Sequence, residues 1–133
     1  MSVVATRNTL FDRFKAQWDA GAYSAVTVAW PNKKFTPPDN ASFVRVLYFP
    51  VAARQASLAG TSNRLWRHTG LVTVECFAPI DDDTEDALGM ADHVVSIFRG
   101  QTLSGVRCRA PEPNVIGPQG SFYQVNVSTP IEY

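Results

Sequence analysis

The sequence predicts an α+β domain in which two α-helices pack on one face of a mixed or antiparallel sheet of about four to five strands. Two segments carry apolar residues at helical spacing, and several others are rich in β-branched and aromatic residues that alternate at strand spacing. The chain has 133 residues, of which 45% are hydrophobic, so it is long enough for one domain with its own core. We therefore expect a single domain over residues 1–133.

The first helix is predicted over about residues 4–18 and ends before Gly21. Its apolar stripe consists of Leu10, Phe11, Phe14 and Trp18. A short strand is predicted at residues 25–29. The consecutive prolines Pro37 and Pro38 then make the next segment extended, because each fixes φ and lacks a donor.

The second strand is predicted at residues 42–50 and holds Arg45 within an otherwise apolar row. A charge in that position needs a partner, and we expect Glu75 on the neighbouring strand to provide it. Residues 51–68 follow, and they are predicted to form a long loop. The loop has few large apolar groups to bury, so we expect it to be mobile in the monomer and to serve assembly.

The centre of the fold is predicted at residues 69–100, as a strand, a sharp turn and a helix. The strand buries one face, made of Val72, Val74, Cys76 and Ala78. Asp83 is expected to cap the helix and Gly100 to end it, with His93 facing outward. The predicted apolar stripe of the helix is Ala87, Leu88, Ala91, Val94, Val95 and Phe98.

Two further strands are predicted at residues 105–110 and 122–133, joined by an irregular connection rich in proline and glycine. The first of these alternates apolar and basic residues. Cys76 and Cys108 both lie in strand-like apolar runs, which favours buried, reduced thiols over a disulfide.

The composition and motifs give no sign of catalysis or of a metal or cofactor site. The 12 basic and 12 acidic residues balance, so no long-range field draws the chain to nucleic acid or to a membrane. The acidic run at residues 81–86 lacks the glycine and distal glutamate of an EF-hand loop, and helix capping explains it. His68 and His93 are isolated and are expected at the surface. Neither a GxSxG elbow nor a phosphate-binding glycine loop is present, so no enzyme is predicted.

The combination of arginine and tryptophan in residues 51–68 suits either a protein interface or nucleic-acid contact, and zero net charge weighs against nucleic acid. The arginines Arg54, Arg64 and Arg67 could meet acidic residues such as those of the turn at residues 81–86 on an adjacent subunit. The expected subunit or tail interface consists of Arg54, Leu58, Arg64, Leu65, Trp66, Arg67, Asp81, Asp82 and Asp83.

Short motifs in a fixed order carry a resemblance that covers nearly the whole chain. They are Trp30-Pro31-Asn32, Phe35-Thr36-Pro37-Pro38, Phe43-Val44-Arg45-Val46, Gly70-Leu71-Val72-Thr73-Val74, Ala91-Asp92 with Phe98, and the closing residues 127–133. Their order and spacing resemble those of the tail terminator-like proteins of long-tailed bacteriophages and prophages, the family of the minor tail protein U of phage lambda.

The resemblance implies a structural protein with no cofactor that forms a hexameric ring on the finished tail tube. The implied partners are other copies of the chain, the tail tube protein and a neck or head-completion protein. DNA would pass through the ring without sequence-specific contact, and no membrane is involved. The implied location is the virion tail, after assembly in the host cytoplasm.

Two alternatives stay open at this point. A neck or head-completion protein of similar size would also form rings. A small enzyme or ligand-binding protein would instead have a buried polar pocket with a perturbed titratable group.

Overall fold

The computed structural model describes residues 2–55, 66–81 and 83–133, and it contains two helices and a curled mixed sheet. The elements are α1 (Val3–Ala20), β1 (Thr27–Ala29), β2 (Phe43–Gln55), β3 (Trp66–Pro79), α2 (Glu85–Phe98), β4 (Thr102–Leu103), β5 (Val106–Cys108), β6 (Glu112–Gln119) and β7 (Phe122–Glu132). The α+β class is confirmed, whereas four to five strands was too few. The additional strands are short, or they contain the prolines that only an edge strand tolerates.

The described strands lie in the order β1-β2-β3-β7-β5-β4, and β6 also pairs with β7. β1 is parallel to β2, and the other pairs are antiparallel. β7 pairs with β3 along one edge and with β6 and β5 in succession along the other. The two-residue turn between β4 and β5 has positive φ at both Ser104 and Gly105, as a type I′ hairpin requires.

Both helices cover one face of the sheet, and the predicted core lies between them and that face. The strand residues Val72, Val74, Cys76 and Ala78 are all buried, as predicted. The stripe of α1 is buried too, and the Trp18 indole N–H donates to the Val26 carbonyl at 3.2 Å. We call the other face of the sheet, which carries Arg45 and Glu75, the outer face.

The helix α2 departs from prediction at two of its residues. Leu88 is 40% exposed, because the buried stripe runs through Ala87, Met90 and Ala91 and leaves Leu88 at its flank. Asp83 is not the N-cap; the cap position is Thr84, and the Asp83 carboxylate accepts the Thr84 backbone N–H at 2.7 Å. The predicted end of the helix is confirmed, since Gly100 has φ 68°.

His93 is half-buried rather than facing outward as predicted. Its ring lies 5.4 Å from that of Trp18 and 5.8 Å from that of Tyr23, and its Nε2 atom is buried. The turn that follows α1 covers this side of α2, and periodicity within α2 does not reveal that turn. His68 is half-buried, with its ring stacked on Tyr133 at 5.0 Å.

Residues 51–55 and 66–68 are strand rather than loop, which corrects the prediction for this segment. β2 and β3 continue past the body of the sheet as a two-stranded ribbon, with a register shift between Pro50 and Ala52. We call residues 51–55 and 66–68 the arm. Every residue of β2 in the arm is exposed, so no alternating apolar pattern marks the strand in the sequence. Residues 56–65, which follow β2 and precede β3, lie outside the described residues, so the predicted mobility of this part of the segment stays a prediction.

Candidate functional site

The outer face of the sheet contains the predicted ion pair between Arg45 and Glu75. The two residues are direct cross-strand partners, and Arg45 Nε donates to Glu75 Oε1 at 2.5 Å. Gln124 on β7 donates its Nε2 amide to the other oxygen, Glu75 Oε2, at 3.1 Å. The strand pairing of β2, β3 and β7 thus supplies the partner that an arginine in an apolar row requires.

The arm presents two arginines and a tryptophan at the end of the sheet. Arg54 lies directly opposite Arg67, and Gln55 lies directly opposite Trp66. Directly opposed residues share one face of a two-stranded ribbon, so the two guanidinium groups project from the same side. Like charges in this position are unfavourable unless a counter-ion neutralises them.

The basic charge of the arm continues across the outer face to β5. Glu132 of β7 is the cross-strand partner of both Thr69 and Arg107. Arg109 donates from Nη2 to Glu132 Oε1 at 2.7 Å. This hydrogen bond, together with the charges of Arg109, Arg67 and Arg107, lowers the pKa of the Glu132 carboxyl.

Arg109 therefore binds the carboxylate of Glu132, Arg67 and Arg107 add positive charge near it, and Arg54 faces another arginine. We call Arg54, Arg67, Arg107 and Arg109 the basic band. The band crosses β2, β3, β7 and β5 from side to side, so with adjacent strands about 4.8 Å apart it is on the order of 14 Å wide.

An open groove of about 430 Å³ lies beside the basic band, between the end of α2 and the β4–β5 hairpin. Its lining consists of Arg99, Gly100, Gln101, Thr102, Arg107, Cys108, Arg109 and Ala110. The backbone of the groove is fixed, because the Cys108 N–H donates to the Gln101 carbonyl at 2.9 Å and the Arg109 N–H donates to the Pro130 carbonyl at 2.7 Å. Three arginines thus line a preformed concave surface.

The acidic turn, which we define as residues 80, 81 and 83–86, lies at the opposite end of β3 from the arm. Asp81 and Asp83 are exposed there, and Asp81 has φ 67°. β3 contains 14 residues, so the two ends of this strand are separated by about 40 Å at the rise of an extended chain. The acidic turn therefore cannot reach the basic band of its own subunit.

The structure brings some of the predicted interface residues together and separates others. Arg54, Trp66 and Arg67 are neighbours on the arm, while Asp81 and Asp83 are at the far end. Leu58, Arg64, Leu65 and Asp82 lie outside the described residues. Sequence reasoning missed Arg99, Arg107, Arg109 and Glu132. The alternation of apolar and basic residues in β5 was visible in the sequence, but the pairing of β5 with β7 was not.

The side chains in the described ranges do not form a metal centre, since no group of three or more His, Cys, Asp or Glu residues there could hold an ion. Burial raises the pKa of Cys76 to about 12 and that of Cys108 to about 11, so both thiols are protonated at neutral pH. Neither described helix has the length and apolar character to cross a membrane.

Comparisons with known proteins assign the chain to a family. A family model described as "Phage tail terminator protein" matches residues 7–132. Fifteen chains of solved structure also match. One of them is 23% identical in sequence, superposes with a TM-score of 0.74, and is matched over 99% of this chain and 95% of its own. At that identity the likeness shows the fold alone. None of the curated proteins matches the chain.

Proposed function

Since the chain belongs to the phage tail terminator family, we propose that it caps the finished tail tube as a hexameric ring. Membership in the family gives it a structural role in the virion tail. In the proposed role, the ring ends polymerisation of the tail tube protein. It then presents a surface to the neck or head-completion protein, and DNA passes through its centre. Assembly takes place in the cytoplasm of the bacterial host.

The separation of charge along β3 is the observation that supports a ring. The basic band lies at one end of this strand and the acidic turn lies at the other. When unlike surfaces of two copies meet, each added copy leaves the same two surfaces free. Such a heterologous contact closes into a ring if the rotation between copies fits.

The arm supplies exposed side chains of the kind that anchor protein interfaces. Trp66 is 53% exposed and Val51 is 67% exposed. Tryptophan and arginine dominate the energetics of many interfaces, and the arm presents Trp66 on one face and Arg67 on the other. Because these side chains bury little surface within the subunit, their removal is expected to change assembly more than folding.

The proposal is tested by replacing Arg54, Trp66 and Arg67 together with alanine. The variant is expected to unfold at nearly the temperature of the wild type and to leave tail tubes uncapped, so that the tubes keep growing in the presence of tube protein. The matched control replaces the exposed residues Lys33 and Lys34 with alanine, and it is expected to cap normally. Normal capping by the arm variant would remove the arm from the interface.

A further inference from the structure

We infer that the basic band and the groove beside it form a carboxylate-binding surface that receives the acidic turn of a second copy of this chain. The inference rests on the proposed function and names the two surfaces that meet between neighbouring subunits. It adds Arg99, Arg107 and Arg109 to the contact and makes the arm one side of a larger site.

The balance of charge at the basic end supports an incoming anion. Arg109 binds the carboxylate of Glu132, Arg67 and Arg107 add positive charge near it, and Arg54 adds a fourth guanidinium opposite Arg67. Arg99 contributes another positive charge from the far wall of the groove. The hydrogen bond to Glu132 also orients Arg109, and a guanidinium group carries five N–H donors in all.

The form of the groove suits carboxylates. Arg99, Arg107 and Arg109 all line it, and a guanidinium group can hold a carboxylate through two parallel hydrogen bonds. The backbone hydrogen bonds that fix β5 against Gln101 and Pro130 are already formed in the single subunit. Binding therefore needs no backbone ordering, which lowers its entropic cost.

The same chain supplies the complementary anion. Residues 80–98 contain six acidic residues, namely Asp81, Asp82, Asp83, Glu85, Asp86 and Asp92, and they contain no lysine or arginine. The acidic turn is too far from the basic band to neutralise it within one subunit, as the length of β3 requires. A contact between two copies brings the two surfaces together.

A polynucleotide fits these observations less well than a second copy. The chain as a whole carries no net charge, so it lacks the long-range attraction that steers a basic protein to a phosphate backbone. A carboxylate cluster on a second copy needs only short-range contacts with the basic band. We therefore assign the surface to protein contact and make DNA binding an outcome of the test.

The test is a charge exchange between two variants. The first is Arg99→Glu with Arg107→Glu, and the second is Asp83→Lys with Glu85→Lys. Each variant alone places like charges at every contact, so we expect its self-association to weaken at least about tenfold in sedimentation and on tail-tube ends. In an equimolar mixture, the altered surface of each variant meets a complementary surface of the other. The mixture is therefore expected to associate like the wild type, in alternating order.

Several results would overturn the inference. One is that either variant alone associates as strongly as the wild type. Another is that the mixture does not recover association although both variants keep their unfolding temperature. A third is that the first variant assembles normally but loses binding to a short DNA duplex. The control replaces Lys33 and Lys34 with glutamate, which changes the charge equally on another part of the surface. Recovery in the mixture without capping of tubes would support the inference and refute the proposed function, so the two failures are distinguishable.

Discussion

Arg54 and Arg67 lie directly opposite each other where the β2–β3 hairpin extends past the body of the sheet. Two like charges in a cross-strand pair weaken a ribbon rather than stabilise it. An acidic surface of another molecule would neutralise the two guanidinium groups and remove the repulsion between them. The stability of the subunit and the proposed assembly with other copies therefore favour different residues at these two positions.

The variant Arg54→Glu separates those two demands. The new carboxylate would face Arg67 across the ribbon, so we expect the free energy of unfolding to rise by about 0.2–1 kcal/mol. Assembly is expected to weaken, because the basic band loses one charge and gains the opposite one. Urea unfolding and sedimentation measure the two effects, and Arg54→Ala is the control that removes repulsion without adding attraction. Loss of stability together with normal assembly would contradict the role given to Arg54.

The two cysteines are expected to be inert in the folded protein. Burial raises the pKa of Cys76 to about 12 and that of Cys108 to about 11, and the thiolate is the reactive form. At pH 8 a thiol-specific reagent should label neither residue in the native state and both in denaturant. Rapid labelling of either cysteine under native conditions would show that its strand opens readily.

The ion pair between Arg109 and Glu132 predicts a defined dependence of stability on pH. Arg109 lowers the pKa of Glu132 from its ordinary value of 4.5, so the folded state favours the charged carboxylate. The stabilising effect is fully present above that value and is lost as the pH falls through the lowered pKa of the folded state. The variant Glu132→Gln should therefore be less stable than the wild type at pH 7, and the difference should shrink at pH 3. A difference that does not change with pH would rule out this ion pair as its cause.

His93 and Gly21 are predicted to be coupled through packing. A Cβ atom on Gly21 would lie 2.5 Å from the imidazole of His93, which is confined by the rings of Trp18 and Tyr23. Gly21→Ala is expected to cost about 1–3 kcal/mol of unfolding free energy. In a His93→Ala background the same change should cost much less. Equal costs in the two backgrounds would mean that the histidine is not the obstacle.

The sequence predicted elements whose signals are local. The alternation in residues 69–78 identified the buried face of β3. The partner of Arg45 was predictable because a charged side chain in an apolar row needs an opposite charge nearby, and Glu75 on the neighbouring strand provides it. The partial burial of His93 was not predictable, because the residues that cover it belong to the turn after α1 rather than to α2 itself.

The candidate site was harder to predict than the fold. Arg54, Trp66 and Arg67 stand out by residue type, whereas the strands around them carry no apolar alternation, so the sequence pattern predicts a loop there. The rest of the basic band is brought together by pairing between β7 and β5. That pairing joins residues far apart in the chain, and no local pattern encodes it.

Electron microscopy of tail tubes grown with and without this protein examines the proposed capping role itself. With the wild-type chain present, we expect tubes of limited length, each with a ring-shaped density of six subunits at one end. Without it, or with the arm variant in its place, the tubes should grow longer and lack that density. Tubes that keep growing and carry no terminal ring, in the presence of folded wild-type protein at saturating concentration, would contradict the proposed function.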